Sequence, residues 1–256
     1  MPFPESERVR YAKNPLAEVI CQLRFPTILR IDIEVPAAFQ ESIRAHFPEY
    51  RRSGPQLPAG IRVPPQLLDL LGTAATVGHE FYAADSRTKV SLTRDFLALS
   101  VTDYTDWRSF RATLDLPLKA LVDCYGPAYF GRIGLRYRDE IDRASLGLED
   151  VPWCELLRPE VAGELAHTEL APRIDRTVRE LHARFPNHGG NVRLLHGLVA
   201  DKEPARYSID ADFYLESQTP IGDVAHVLDR FNQAAGNLFR WCITPRLADA
   251  LGRRAD

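Results

Sequence analysis

The chain has 256 residues, 45% of them hydrophobic and 26% charged, and a formal net charge of -3. That composition suits a globular protein with a buried core and sets aside a general nucleic-acid binder, which needs a basic footprint to neutralise phosphates. Cys21, Cys124, Cys154 and Cys242 form no C-x-x-C pair and no zinc spacing, so buried, reduced thiols are expected. No apolar run approaches the roughly 20 residues that span a bilayer, and Met1 to Glu5 lacks a secretory layout. The expectation is a cytoplasmic protein with no membrane partner.

Residues 1–13, charged and proline-bearing, read as a loose lead-in. From Glu18 to Phe25 the pattern alternates. Val19, Cys21, Leu23 and Phe25 fall on one face and Glu18, Ile20, Gln22 and Arg24 on the other, the period of a half-buried strand. Pro36 to Phe47 predicts a short helix, with Phe39, Ile43 and Phe47 at steps of four. Residues 50–66 hold four prolines and two glycines and read as a loop or irregular edge. Phe81 to Thr102 predicts hairpin strands turning near Asp85-Ser86 and Arg94-Asp95. A helix follows from about Asp106 to Tyr125, with Thr105 as its N-cap, a stripe of Trp107, Phe110, Leu114, Leu118 and Leu121, and a kink expected at Pro117.

Arg132 to Ile141 alternates again, and residues 152–157 read as a short helix. Strands are expected at 173–184, 191–199 and 206–216, with Asn187-His188-Gly189-Gly190 as a hairpin turn. A closing helix opens at Thr219-Pro220 and carries Ile221, Val224, Leu228, Phe231, Ala235 and Leu238 on one stripe.

Shifted by about 114 residues, the chain overlays itself: Val19, Cys21, Leu23 and Phe25 fall on Ile133, Leu135, Tyr137 and Asp139, and Arg24 on Arg138. Trp107, Phe110 and Leu114 fall likewise on Ile221, Val224 and Leu228. The expected fold class is α+β. Residues 14–127 and 128–256 form internally duplicated strand, helix, antiparallel-sheet and long-helix halves of a single compact domain. Its topology is analogous to the saddle-like TATA-binding-protein fold, with helices on one face of a shared sheet.

The opposite sheet face presents Gln22, Arg24, Arg132, Arg136 and Arg138. Arginines two apart on a strand share a face, so they either grip a carboxylate or phosphate through forked hydrogen bonds or pair with Glu18, Asp139 and Glu140. Asp210 and Asp212 form an Asp-x-Asp pair that could hold Mg²⁺ or Mn²⁺ against a phosphate, or balance the arginines. His182, His188 and His196 could meet across a hairpin as transition-metal ligands, or serve as ordinary core and surface groups. No nucleophile elbow, Walker A loop, HExxH or dinucleotide fingerprint occurs.

The run Asn14-Pro15-Leu16-Ala17-Glu18-Val19-Ile20-Cys21-Gln22-Leu23-Arg24-Phe25-Pro26 resembles the opening signature of a sporadically distributed bacterial family of uncharacterised proteins. Arg132-Ile133-Gly134-Leu135-Arg136-Tyr137 is similar to that family's second signature, and Phe239, Thr244 and Arg246 are compatible with its ending. The resemblance spans nearly the whole chain and brings no catalytic residues. It implies an accessory role, such as defence or toxin neutralisation. The first functional reading is a non-enzymatic binding or adaptor protein for a protein partner or small anionic ligand, using the open sheet face or the groove between halves. The second is a divalent-metal enzyme acting on a phosphorylated or nucleotide substrate. An apolar ligand between helices and sheet is a third, which a packed core explains better.

Overall fold

The computed structural model describes residues 3–53, 78–199 and 205–255. Its strands are β1 (Val9–Tyr11), β2 (Leu16–Arg24), β3 (Glu49–Ser53), β4 (Gly78–Tyr82), β5 (Thr88–Leu92), β6 (Phe96–Val101), β7 (Arg132–Ile141), β8 (Arg179–Arg184), β9 (Asn191–Val199), β10 (Arg206–Leu215) and β11 (Arg253–Ala255). Its α-helices are α1 (Arg30–Ile33), α2 (Ala37–Ile43), α3 (Trp107–Tyr125), α4 (Arg143–Leu146), α5 (Trp153–Leu156), α6 (Pro159–Ala162), α7 (Val224–Cys242) and α8 (Pro245–Ala250). The architecture is α+β with antiparallel strands. The chain divides into two compact units that interleave in sequence: Ile20–Ile133 with Glu216–Val224, and Met1–Val19 with Gly134–Leu215 and Ala225–Asp256.

In the first unit, β3, β4, β5 and β6 follow one another as antiparallel neighbours, through Tyr50↔Phe81, Phe81↔Val90 and Val90↔Leu99, and β2 lies next to β6. The predicted alternation is realised: Cys21, Leu23, Phe81, Val90 and Leu99 are fully buried, while Gln22 and Arg24 lie on the other face. Burying each large aliphatic chain contributes roughly 1.5–3 kcal/mol. α2 packs against α3, with Phe39, Ile43, Leu114 and Leu121 in the core. The helix expected over Pro36 to Phe47 stops at Ile43, yet Phe47 stays buried.

The N-cap of α3 is Asp106, not Thr105. Its extended backbone lets the carboxylate accept from the Ser109 N–H at 2.9 Å, satisfying a donor that no helical carbonyl can reach. Gly126 ends the helix at φ 55°, donating to the Val122 carbonyl at 2.9 Å. Residues 50–53, expected as loop, belong to β3, and the rest of that expected loop lies outside the described residues.

In the second unit, β7, β10, β9 and β8 lie side by side in that order, with Asp212↔Arg193 and His182↔Arg193 as register pairs. β7 covers the predicted span, with Ile133, Leu135, Tyr137, Asp139 and Ile141 on its buried face. The turn between β8 and β9 closes through Gly190. A Cβ there would lie 2.9 Å from the Phe231 ring and from the Tyr214 carbonyl, so only glycine fits without displacement. Regular pairing of β8 starts at Arg179 rather than 173; Ala171–Arg173 forms a 3₁₀ turn, and Thr177 makes a backbone bond to Leu198 at 3.2 Å before the strand proper. β1, within the expected lead-in, pairs antiparallel with β11.

α7 begins at Val224, after a 3₁₀ turn at Ile221–Asp223. Thr219 does not cap it: it lies before the 3₁₀ turn, its hydroxyl donates to the Ser217 carbonyl at 3.2 Å, and its N–H and carbonyl pair with Phe130 at 2.9 Å in a strand-like bridge. Val224, Leu228, Phe231 and Leu238 are buried as the stripe predicts. Among the described residues no helix is long and apolar enough to cross a membrane.

Candidate functional site

The alternation of β7 turns Arg132, Arg136, Arg138 and Glu140 away from the core, and β10 does the same for Asp210 and Asp212. In the second unit Arg136 forks onto Asp210: its Nε donates to Oδ1 at 2.6 Å and its Nη2 donates to Oδ2. Those hydrogen bonds push the guanidinium pKa up against the opposing effect of burial. Arg138 donates to Glu140 at 3.0 Å and lies 3.7 Å from Glu18. Arg206 reaches Glu140 at 3.4 Å and Asp142 at 3.0 Å. One strand further, Arg193 stands opposite Asp212 and donates to Glu180 at 2.7 Å, and Glu180 also holds His182 at 2.8 Å. The hydrogen bonds from Arg193 and His182 lower the pKa of Glu180. The face is a lattice of alternating charges.

In the first unit, Arg132 donates to Gln22 at 3.3 Å and lies 3.7 Å from Glu216, while Arg24 lies 4.0 Å from Asp95. Each arginine of the predicted cluster is therefore directed at a partner of its own. Arg136 and Arg138 share a strand face and hold different carboxylates.

Both oxygens of Asp210 are taken by Arg136, so a divalent cation would first have to release that pair. Among the described residues no group of three or more His, Cys, Asp or Glu is placed to hold a metal ion. His182 and His196 do not meet. His182 is exposed beside Glu180, whereas His196 is buried on the other face of the same sheet. The His188 side chain lies outside the described structure.

Two buried polar groups take roles other than those the sequence offered for them, His196 as a metal ligand and Asp139 as a partner of the arginines. His196 Nδ1 and the Tyr207 hydroxyl share a hydrogen bond at 2.7 Å, and that hydroxyl donates to the Val161 carbonyl at 3.1 Å. Burial lowers the His196 pKa and raises that of Tyr207. Asp139 is 6% exposed. Burial first, and the charge of Asp210 second, raise its pKa to about 8. The signal for Asp139 was its place in the apolar register of β7, where the 114-residue shift sets it on Phe25. No protein-family model matches the chain, and no curated protein matches it.

Proposed function

We propose that the protein is a non-enzymatic binding or adaptor protein that takes a protein partner on the charged sheet face around Arg136, Arg138 and Asp210. The observation that carries this reading is the lattice itself. Its side chains keep between 14% and 38% exposure at Arg136, Asp210, Arg138, Glu18 and Glu140, while the opposite face is core. A free small anion there competes with tethered carboxylates that already hold every guanidinium. A protein surface of mixed charge instead exchanges pairs with the lattice, which favours specificity and register. The second reading, a Mg²⁺- or Mn²⁺-dependent enzyme using Asp210 and Asp212, is less supported, because Arg136 occupies the carboxylate it needs.

On this reading the scaffold is an internal duplication, with the TATA-binding-protein fold as its topological analogue. Two features support it. β2 and β7 each open a run that ends in a 19-residue helix. In both runs the opening strand neighbours the last strand of the following antiparallel series, β6 or β10. The two sequence signatures support membership in the sporadically distributed bacterial family, and with it an accessory or defence-related role. Four free cysteines agree with a cytoplasmic setting.

The test is native mass spectrometry of tagged protein purified gently from its host, beside an Arg138→Glu, Arg193→Glu variant of matched thermal stability. The expected result is a stoichiometric protein companion that the variant loses. A companion retained by the variant, or a bare wild-type chain, overturns the reading.

A further inference from the structure

Away from the charged face, the second unit contains a cavity of about 240 Å³ lined by Ser6, Arg158, Asn237, Arg240, Trp241 and Arg253, among others. Its one acidic lining residue, Glu7, makes no ion pair within the described structure. Arg240 is half-buried. Its Nε donates to Ser6 Oγ at 2.5 Å, and its Nη2 donates to Asn237 Oδ1 at 2.9 Å and to the Ser6 carbonyl at 3.4 Å. All of these partners are neutral. The guanidinium lies over Gly236, where an added Cβ would come within 3.1 Å of Nη1. Burial lowers its pKa, Tyr11 acts against that, and the positive charges of Arg253 and Arg8 add to the lowering. A half-buried cation whose charged neighbours are mostly cations calls for an anion.

The other two arginines are held in place by backbone and leave their side chains to spare. The Arg158 N–H donates to the Cys242 carbonyl at 3.0 Å, which pins it to the end of α7. Arg253 is set opposite Tyr11 by the pairing of β1 with β11. Neither side chain makes a hydrogen bond or ion pair among the described residues, and both are exposed. Trp241, packed on Phe3 with ring centroids 5.2 Å apart, adds a flat apolar wall. Its indole N–H has no partner among the described residues.

We propose that this cavity binds the oxyanion group of a small organic molecule, a phosphate or carboxylate, which Arg240 receives at its inner end with Arg158 and Arg253 closing on it. The organic part lies against Trp241. Guanidinium forks suit both planar and tetrahedral oxyanions, and the cavity admits only a small ligand. None of these residues belongs to the charged face, so this site and the partner face stand or fall separately.

The test is calorimetry on the full chain with inorganic phosphate and, separately, acetate, each against chloride at equal ionic strength. The expected result is one saturable site in the millimolar range for at least one anion, and the responding anion identifies the chemistry. The Arg158→Gln, Arg253→Gln variant, which removes no contact of the fold, is expected to keep the wild-type melting temperature in chloride. It should lose affinity about tenfold or more, the scale of a charge-assisted hydrogen bond. Glu7→Gln should tighten binding. No saturable heat with either anion, or unchanged affinity in the double variant, overturns the proposal.

Discussion

Asp139 shows how a single side chain couples this fold to pH. Its ordinary pKa of 3.8 rises to about 8 because burial penalises the carboxylate and Asp210 adds a like charge. The native state therefore keeps a proton that the unfolded state releases above its own pKa. The stability from this group is complete below pH 3.8 and is lost as pH rises through about 8, at up to about 1.4 kcal/mol per pH unit. Asp139→Asn should flatten the decline of melting temperature between mildly acidic and mildly alkaline buffers. Parallel wild-type and variant profiles would refute the assignment. His196 and His79 act in the opposite sense, because burial lowers both pKa values. Their neutral native forms contribute fully above the ordinary histidine range, and that contribution is lost as pH falls. The position of Asp139 in the core register was readable from the alternation of β7. The smaller part of its pKa shift comes from Asp210, a neighbour 71 residues away, which no local pattern reports.

At the scale of elements, α3 isolates a local rule. Asp106 caps it through the Ser109 N–H, while the exposed Thr105 makes no such bond. Asp106→Ala should cost about 1 kcal/mol in urea unfolding, and Thr105→Ala close to nothing. The reverse ranking would return the cap to Thr105. Both residue types favour that position, so composition left the choice open and the extended backbone of Asp106 decided it. The β8–β9 hairpin is a similar case. Its register sets His182 opposite Arg193 and His196 opposite Arg179, so even-numbered residues on one strand share a face with odd-numbered ones on the other. The two histidines thereby fall on opposite faces. A register shifted by one residue would have put them on the same face.

For the whole molecule, the four thiols report on packing. Cys21 and Cys242 are fully buried, and Cys124 and Cys154 are half-buried. Burial pushes the Cys21 thiol up to about 12 and raises that of Cys242 as well, so neither forms thiolate near neutrality. A thiol reagent should modify Cys124 and Cys154 in the native protein and all four cysteines only in denaturant. Rapid native labelling of Cys21 or Cys242 would show that the cores of the units open. The face that each strand residue takes, and the stripe that each long helix buries, were determined by the sequence alone. Strand and helix periods are properties of one backbone segment and of the water it avoids. Which charges meet was decided only by the tertiary structure. Arg136 finds Asp210 across 74 residues and Arg240 finds Ser6 across 234, and contacts at such separations follow from strand register and chain closure rather than from any nearby pattern.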